Sequence, residues 1–216
     1  MMLANNSGRS LPVRRRSSAV FVDIGGVLIR DPQPIVCDKI RRIVGPLPHG
    51  FPKLYAQLSR RLDLGSIHLH SAYESICAAL GTTIGYRRFE VIVTSASLTA
   101  YPGVLKALDR LSKKGIPRVY LASNTSREVW RGLNAKYHLG DRYKRQILSY
   151  RVACLKPQVR FFRLMLEKAK CSPQNALFLD NSRRNVVGAR KLGIRSILVQ
   201  RPSQAALLLR RLAQGT

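Results

Sequence analysis

The fold of this chain is decided by the stretch Ala19–Asp31, AVFVDIGGVLIRD. An apolar run of four residues ends in Asp23, and Gly25 and Gly26 follow it. Such a run predicts a buried strand with a turn at its end. Ligands of open α/β sheets bind at the carboxyl ends of the strands, so Asp23 is a candidate site residue. The alternative is that Asp23 only caps the turn.

The rest of the chain divides into two parts. Between residues 32 and 100 there is little strand pattern, and helices are predicted over Ile35–Ile43, Lys53–Leu62, Leu69–Leu80 and Tyr86–Ser95. From Pro102 the pattern alternates. Helices are predicted over Val104–Lys114, Glu128–Tyr137, Pro157–Ala169, Arg184–Leu192 and Ala205–Ala213, and strands over Arg118–Ala122, Gln146–Tyr150, Ala176–Leu179 and Ser196–Val199. Strands alternating with helices indicate a parallel sheet covered on both faces, with residues 32–100 as a helical insert.

Three further polar sites follow predicted strands. Ser123 and Asn124 come directly after one strand, where they can donate hydrogen bonds to a phosphate or cap the next helix. Lys156 precedes a predicted helix and can neutralise a transferred group, although a lone lysine is more often solvated. Asp180 and Asn181 follow another strand, as Asp23 does. Two carboxylates at one sheet edge make a plausible Mg²⁺ site.

The chain is strongly basic, with 38 Lys and Arg against 11 Asp and Glu, a formal net charge of +27. Such a charge is typical of nucleic-acid-binding proteins, and it predicts an RNA or ribonucleoprotein partner. The basic pairs are spread along the chain, so a GC-rich coding composition is an equally open explanation. No apolar run approaches the ~20 residues of a membrane span, so no membrane association is expected.

The first 18 residues form a leader with four arginines, four serines and no acid. This composition suits a mitochondrial or other organellar transit peptide, and it also suits a basic arm on nucleic acid. A short disordered leader is the third interpretation. The leader lacks the apolar core of a secretory signal, so secretion is not expected, and a cytoplasmic location stays open.

Four motifs together resemble the haloacid dehalogenase-like (HAD) hydrolases. They are DIGGVLI at Asp23, LASNTS at Ser123, LKPQVRFF at Lys156 and FLDNSRRNVVGARKLGIRSILV at Asp180. The resemblance is greatest to the subgroup with a small helical cap, such as sugar-phosphate phosphatases and the phosphatase-like half of epoxide hydrolases. It implies a Rossmann-like doubly wound parallel α/β sheet, with a core domain over 19–31 and 101–216 and a helical cap over 32–100.

The resemblance also implies a mechanism. Asp23 would be the nucleophile that forms an aspartyl-phosphate, while Ser123 and Lys156 would complete the catalytic set. Gly26, Ser123, Asn124 and Lys156 would bind the phosphoryl group. Asp23, the carbonyl of Gly25, Asp180 and Asn181 would hold Mg²⁺. The substrate would then be a small phosphomonoester.

Three positions depart from the family pattern. Most HAD phosphatases carry a general acid–base aspartate two residues after the nucleophile, where this chain has Gly25. Losing such a group typically costs ~10²–10⁴-fold in rate. In the last motif, Asn181 stands where the family usually has a second aspartate, and Arg184 stands where it often has a further acid. Two functions therefore stand: an Mg²⁺-dependent phosphatase, or a weak or inactive HAD-like domain that serves as a basic RNA-binding or structural component.

Overall fold

The computed structural model describes residues 17–96, 99–115 and 117–215. The predicted leader lies almost entirely outside these ranges. Five strands form the sheet: β1 (Ala19–Val22), β2 (Arg118–Ser123), β3 (Gln146–Leu148), β4 (Ala176–Asp180) and β5 (Arg195–Leu198). Eleven helices are present in the described residues: α1 (Pro32–Val44), α2 (Phe51–Asp63), α3 (Leu69–Leu80), α4 (Tyr86–Ala96), α5 (Pro102–Lys113), α6 (Arg127–Tyr137), α7 (Leu139–Arg142), α8 (Ser149–Val152), α9 (Val159–Ala169), α10 (Arg183–Arg190) and α11 (Pro202–Gln214).

The sheet is parallel throughout and has the strand order β3-β2-β1-β4-β5. The chain leaves β1 for β2 on one side and returns to β4 on the other, so the strand order reverses between β1 and β4. Crevices at such reversal points are where α/β sheets bind ligands. The predicted Rossmann-like α/β fold is thus confirmed, and Asp23 and Asp180 lie at this point.

Alternating strand residues supply the two faces of the sheet, because successive side chains of a strand point to opposite sides. Val20 and Val22 belong to a cluster with α5, α6 and α11. Phe21 and Ala19 belong to a second cluster with α9 and α10. Both faces are covered, which explains why the strands read as continuous apolar runs.

The four helices α1 to α4 share a third apolar cluster of their own, which includes Ile40, Tyr55, Ile76 and Phe89. The chain enters and leaves this segment through two adjacent stretches. Arg30 N donates to Thr99 O at 2.9 Å, and Tyr101 N donates to Leu28 O at 2.8 Å. The predicted domain bounds of 32–100 for a cap and 19–31 with 101–216 for a core stay a prediction.

One predicted element is wrong. The strand expected over Gln146–Tyr150 ends at Leu148, and the short helix α8 begins at Ser149. The cause is a hydrogen-bonded link to the loop after β2. Ser149 Oγ accepts from Thr125 N at 2.9 Å and donates to Thr125 O at 3.2 Å. A hydroxyl that satisfies a neighbouring backbone in this way competes with continuation of the strand.

Within the described part of the chain, no helix combines the length and apolar composition that crossing a membrane requires.

Candidate active site

A buried lysine joins two aspartates at the carboxyl ends of β1 and β4. Lys156 Nζ lies 2.9 Å from Asp23 Oδ1 and 2.7 Å from Asp180 Oδ2. It also donates to Ala122 O at 2.8 Å, so all three ammonium protons have acceptors. The side chain of Lys156 is 1% exposed and that of Asp180 is 0% exposed. Such a buried ion pair persists only when it is fully hydrogen-bonded.

The charges of this triad perturb one another. Burial disfavours the charged form of Lys156, but Asp180 and Asp23 outweigh burial and raise its pKa. Burial raises the pKa of Asp23 to about 7, against the lowering effect of Lys156, and the charge of Asp180 adds to the rise. Lys156 therefore stays an ammonium at neutral pH, and a further cation at Asp23 would favour its carboxylate.

The Asp180 carboxylate contacts Lys156 and neighbouring donors and does not line the cavity. Its Oδ1 accepts from Ser182 N at 2.7 Å, and Asn185 Nδ2 lies 3.1 Å from each of its oxygens. Together with Lys156, these donors engage both carboxylate oxygens. Asp180 is also absent from the residues that line the adjoining cavity. Asp180 thus positions Lys156, and its predicted role as a metal ligand stays a prediction.

A cavity of about 190 Å³ opens above Asp23. Gly25, Ser123, Asn124 and Asn181 line it beside Asp23, as the sequence predicted for the site. The predicted phosphate contact of Gly26 stays a prediction, and the structure shows a steric reason for a glycine at this position. Gly26 has a φ of +74°, and a Cβ there would overlap the Asn181 side chain. Gly26 is therefore the position at which the turn after β1 admits the Asn181 amide against its backbone.

The two polar residues after β2 also differ in role. Ser123 is buried, lines the cavity and donates only to the adjacent Asn124 O, at 3.2 Å. Both side-chain atoms of Asn124 bind the backbone of Lys156: Nδ2 donates to O at 3.0 Å, and Oδ1 accepts from N at 2.9 Å. Ser123 is thus placed to bind a ligand, and the Asn124 amide positions Lys156. The predicted phosphate contact of Asn124 stays a prediction. Ser126 caps α6 by accepting from Val129 N.

The opposite wall of the cavity comes from α2 and α4. Tyr55, Ser59, Leu62 and Asp63 of α2 line it, with Val93 of α4. Asp63 was not anticipated from the sequence. It makes no hydrogen bond or ion pair with any residue that the structure describes. Burial, with the charge of Asp23 as a smaller cause, raises the pKa of Asp63 to about 7.

The charge of this cavity is opposite to that of the chain. Asp23, Asp31 and Asp63 line it, and its lining in the described residues contains no Lys, Arg or His. Arg183 and Arg184 are exposed on α10 and do not reach it. These two arginines therefore add no positive charge to the lining of the cavity.

The donor set of the cavity fits Mg²⁺. Asp23 offers a carboxylate, Gly25 a carbonyl and Asn181 an amide oxygen, and all three residues line the cavity. Mg²⁺ is commonly held by one or two carboxylates together with waters and substrate phosphate. Among the residues that the structure describes, no cluster of three or more His, Cys, Asp or Glu suits a metal ion.

Comparison with known proteins places the chain in a family. Residues 18–193 match the model of the haloacid dehalogenase-like hydrolases. The chain belongs to this hydrolase family.

Two curated relatives match at low identity. Acyl-CoA dehydrogenase family member 10 of Mus musculus is 25% identical over 207 residues, covering 88% of this chain. Drimenol cyclase of Aspergillus calidoustus is 24% identical over 189 residues, covering 86% of this chain. The chain spans only 18% and 34% of the lengths of these two proteins.

Solved structures share the fold. A HAD family enzyme of Bacteroides thetaiotaomicron superposes with a TM-score of 0.76 at 22% identity, covering 86% of this chain and 95% of that one. The same enzyme was crystallised with magnesium and inorganic phosphate. L-2-haloacid dehalogenase of Xanthobacter autotrophicus, with chloropropionic acid covalently bound, superposes with a TM-score of 0.62 at 24% identity, covering 93% and 84%. Both likenesses show that the fold is shared.

Proposed function

We propose that the chain is an Mg²⁺-dependent phosphatase that hydrolyses small phosphomonoesters through an aspartyl-phosphate on Asp23. The observation that carries the proposal is the buried triad of Asp23, Lys156 and Asp180, of which Asp23 lines the cavity. Asp23 Oδ1 accepts from Ile24 N at 2.7 Å and is also bound by Lys156 Nζ. Its other oxygen is the atom available to attack phosphorus.

Each residue has a role in this reaction. Asp23 acts as the nucleophile. Lys156 offsets the charge of the phosphoryl oxygens and orients Asp23, and Ser123 donates a hydrogen bond to one of those oxygens. When bound, Mg²⁺ supplies charge neutralisation at the phosphoryl group, held by Asp23, the Gly25 carbonyl and Asn181. Catalysis of this kind depends on positioning and electrostatic stabilisation.

The lining of the cavity favours phosphate esters over haloacids. A 2-haloacid carries a carboxylate bonded directly to its reacting carbon, and this carboxylate needs a cationic or strongly donating partner. The described lining of the cavity includes Asp31 and Asp63 and contains no basic side chain. Unpaired like charges at close range are unfavourable. A phosphomonoester of a neutral alcohol places its only charge over Lys156 and Mg²⁺.

The test is hydrolysis of a panel of phosphomonoesters by purified protein, with Mg²⁺ and with chelator, beside Asp23→Asn. The proposal expects turnover that requires Mg²⁺ and is lost in Asp23→Asn. Chloropropionate in the same panel, scored by chloride release, tests the dehalogenase alternative. Chloride release without phosphate release would overturn the phosphatase assignment.

Binding of RNA or of a ribonucleoprotein is the second candidate function. Helices α5 and α11 pack together on one face of the sheet. Their exposed basic residues are Lys106, Arg110, Lys113, Lys114, Arg210 and Arg211. The affinity of such binding falls as salt rises. The logarithm of the binding constant decreases linearly with the logarithm of the salt concentration, with a slope of about −0.7 per phosphate contacted on single strands.

This second function is tested by anisotropy of labelled RNA over a salt series. The double variant Arg110→Gln/Arg210→Gln should bind more weakly and with a shallower salt slope than Arg88→Gln, an exposed control on α4. Equal slopes for both variants would remove α5 and α11 as the binding face. We also propose an organellar location, which would fit such a partner. The composition of the leader is the sole support for this location.

A further inference from the structure

Asp63 is a half-buried carboxyl group with no assigned task. It is the last residue of α2 and lines the same cavity as the nucleophile Asp23. It has no hydrogen-bond or ion-pair partner among the residues that the structure describes. Buried acids are rare without a partner because desolvation is costly, and they concentrate where a proton must be handled.

The end of α2 is fixed to the sheet domain at this residue. Leu64 N and Gly65 N donate to Arg60 O and Leu62 O, which closes the helix. Gly65 has a φ of +70°, and a Cβ there would lie 3.0 Å from Tyr150 O of α8. A glycine is needed at this close approach, and it seats the α2 terminus against the segment that follows β3. Asp63 is therefore held in place by contacts outside its own helix.

The reaction proposed above lacks a proton carrier. Gly25 has no side chain, Lys156 is committed to three acceptors, and Asp23 is consumed as the nucleophile. The remaining ionisable side chains of the cavity lining are Asp31, which is exposed, and Tyr55, whose pKa is raised by burial. A phenol with a raised pKa is a poor proton exchanger near pH 7.

We propose that Asp63, on α2, is the general acid–base residue of the site and stands in for the acid that is missing at Gly25. This inference rests on the proposed phosphatase function. Its pKa of about 7 matches the requirement that one group donate and then accept a proton near neutral pH.

The two half-reactions balance. In the first, an Asp23 carboxylate oxygen attacks phosphorus and the bond from phosphorus to the leaving oxygen breaks. That oxygen keeps the electron pair and takes the proton of Asp63, giving the alcohol, the aspartyl-phosphate and the Asp63 carboxylate. In the second, water attacks phosphorus and gives one proton to Asp63. The bond from phosphorus to the Asp23 oxygen breaks, which releases inorganic phosphate and restores both acids.

The first test is Asp63→Asn on two classes of substrate. Alkyl phosphates have a poor leaving group that needs protonation, so kcat/KM should fall by about 10²–10⁴-fold. Nitrophenolate leaves without a proton, so phosphoryl transfer from nitrophenyl phosphate to Asp23 should be nearly unaffected. The burst of nitrophenolate measures this step. Asp141→Asn, an exposed acid on α7, is the control and should match the unmodified chain on both substrates.

The second test restores the family's arrangement. A Cβ at Gly25 would meet nothing within 4 Å, and Gly25 is not among the glycines with positive φ. Gly25→Asp added to Asp63→Asn should therefore fold and should recover at least tenfold of the lost activity on alkyl phosphates. A general structural defect in Asp63→Asn would not be repaired from a different segment.

A third readout needs no turnover. A carboxyl ¹³C titration of the metal-free protein should give Asp63 a midpoint near neutrality, and a midpoint near 4 would overturn the inference. If the unmodified chain is active and Asp63→Asn retains full alkyl phosphatase activity, the inference falls and the proposed function stands. If the unmodified chain hydrolyses no phosphomonoester with Mg²⁺, both fall.

Discussion

Replacing Lys156 by methionine removes the ammonium that joins Asp23 to Asp180 while keeping a side chain of similar length. The variant leaves the two carboxylates and the Ala122 carbonyl in a buried space without the ammonium that bridges them. Removing one partner from a buried ion pair typically costs about 3–5 kcal/mol of unfolding free energy. A domain of ordinary stability has about 5–15 kcal/mol in total, so a large fraction is lost.

The loss should depend on pH, and its sign follows from the carboxylates. Without Lys156, the pKa of Asp23 loses its main lowering influence and rises further above the ordinary value of 3.8 that Asp23 has in the unfolded chain. The native variant then binds protons that the unfolded chain does not bind above about pH 4. Stability of the variant therefore falls as pH rises from 4 to 8, more steeply than that of the unmodified chain.

Urea unfolding followed by circular dichroism at pH 5 and pH 8 measures both effects, with an unchanged m-value as the check on two-state behaviour. Lys106→Met, the same change at an exposed position of α5, should stay within about 0.5 kcal/mol of the unmodified chain. A loss below about 1 kcal/mol at pH 8, or an equal loss at both pH values, would refute the buried-triad reasoning.

Three further outcomes are expected. Gly26→Ala should destabilise the fold by about 1–3 kcal/mol in urea unfolding, because φ is positive and the new methyl overlaps Asn181, whereas Gly25→Ala should be tolerated; equal effects would contradict this geometry. Asn181→Asp should raise Mg²⁺ affinity about tenfold in calorimetry by adding a charged ligand, and unchanged affinity would place the metal elsewhere. Asp63→Asn should stabilise the protein by about 2 kcal/mol at pH 8 and not at pH 4. The reason is that the raised native pKa of Asp63 makes stability fall as pH rises from 4 to 7. Thermal unfolding measures this, and no gain at pH 8 would show that Asp63 is a normal carboxylate.

Much of the sheet was readable from the sequence because its strands are covered on both faces. Continuous apolar runs that end in a polar residue mark β1, β2 and β4, and their carboxyl ends meet at one edge in any parallel arrangement. This local logic placed Asp23, Ser123 and Asp180 together in advance. It failed at Ser149, where hydrogen bonds to Thr125 stop the strand. Those bonds join segments 24 residues apart and leave no trace in local pattern.

The parts of the site that sequence reasoning missed depend on tertiary packing. Asp63 lies 40 residues after Asp23 and reaches the cavity only because Gly65 seats the end of α2 against Tyr150. Asn185 could have been noticed as a polar residue on a helix directly after Asp180, but nothing in its spacing announces a buried contact. Asn181 lines the cavity and Asp180 does not. Which of two adjacent residues lines a cavity depends on the fold, and the sequence alone does not decide it.

The central claim is that Asp23 becomes phosphorylated during turnover. The most direct measurement is acid quench of the Mg²⁺-bound protein during hydrolysis of a phosphomonoester, followed by mass spectrometry of the peptide that contains Asp23. A phosphoryl group on Asp23 that disappears when the substrate is exhausted is the predicted result. Asp63→Asn should form the intermediate from nitrophenyl phosphate at a nearly normal rate and break it down slowly. Steady hydrolysis of nitrophenyl phosphate by this variant with an unmodified Asp23 peptide would contradict the claim.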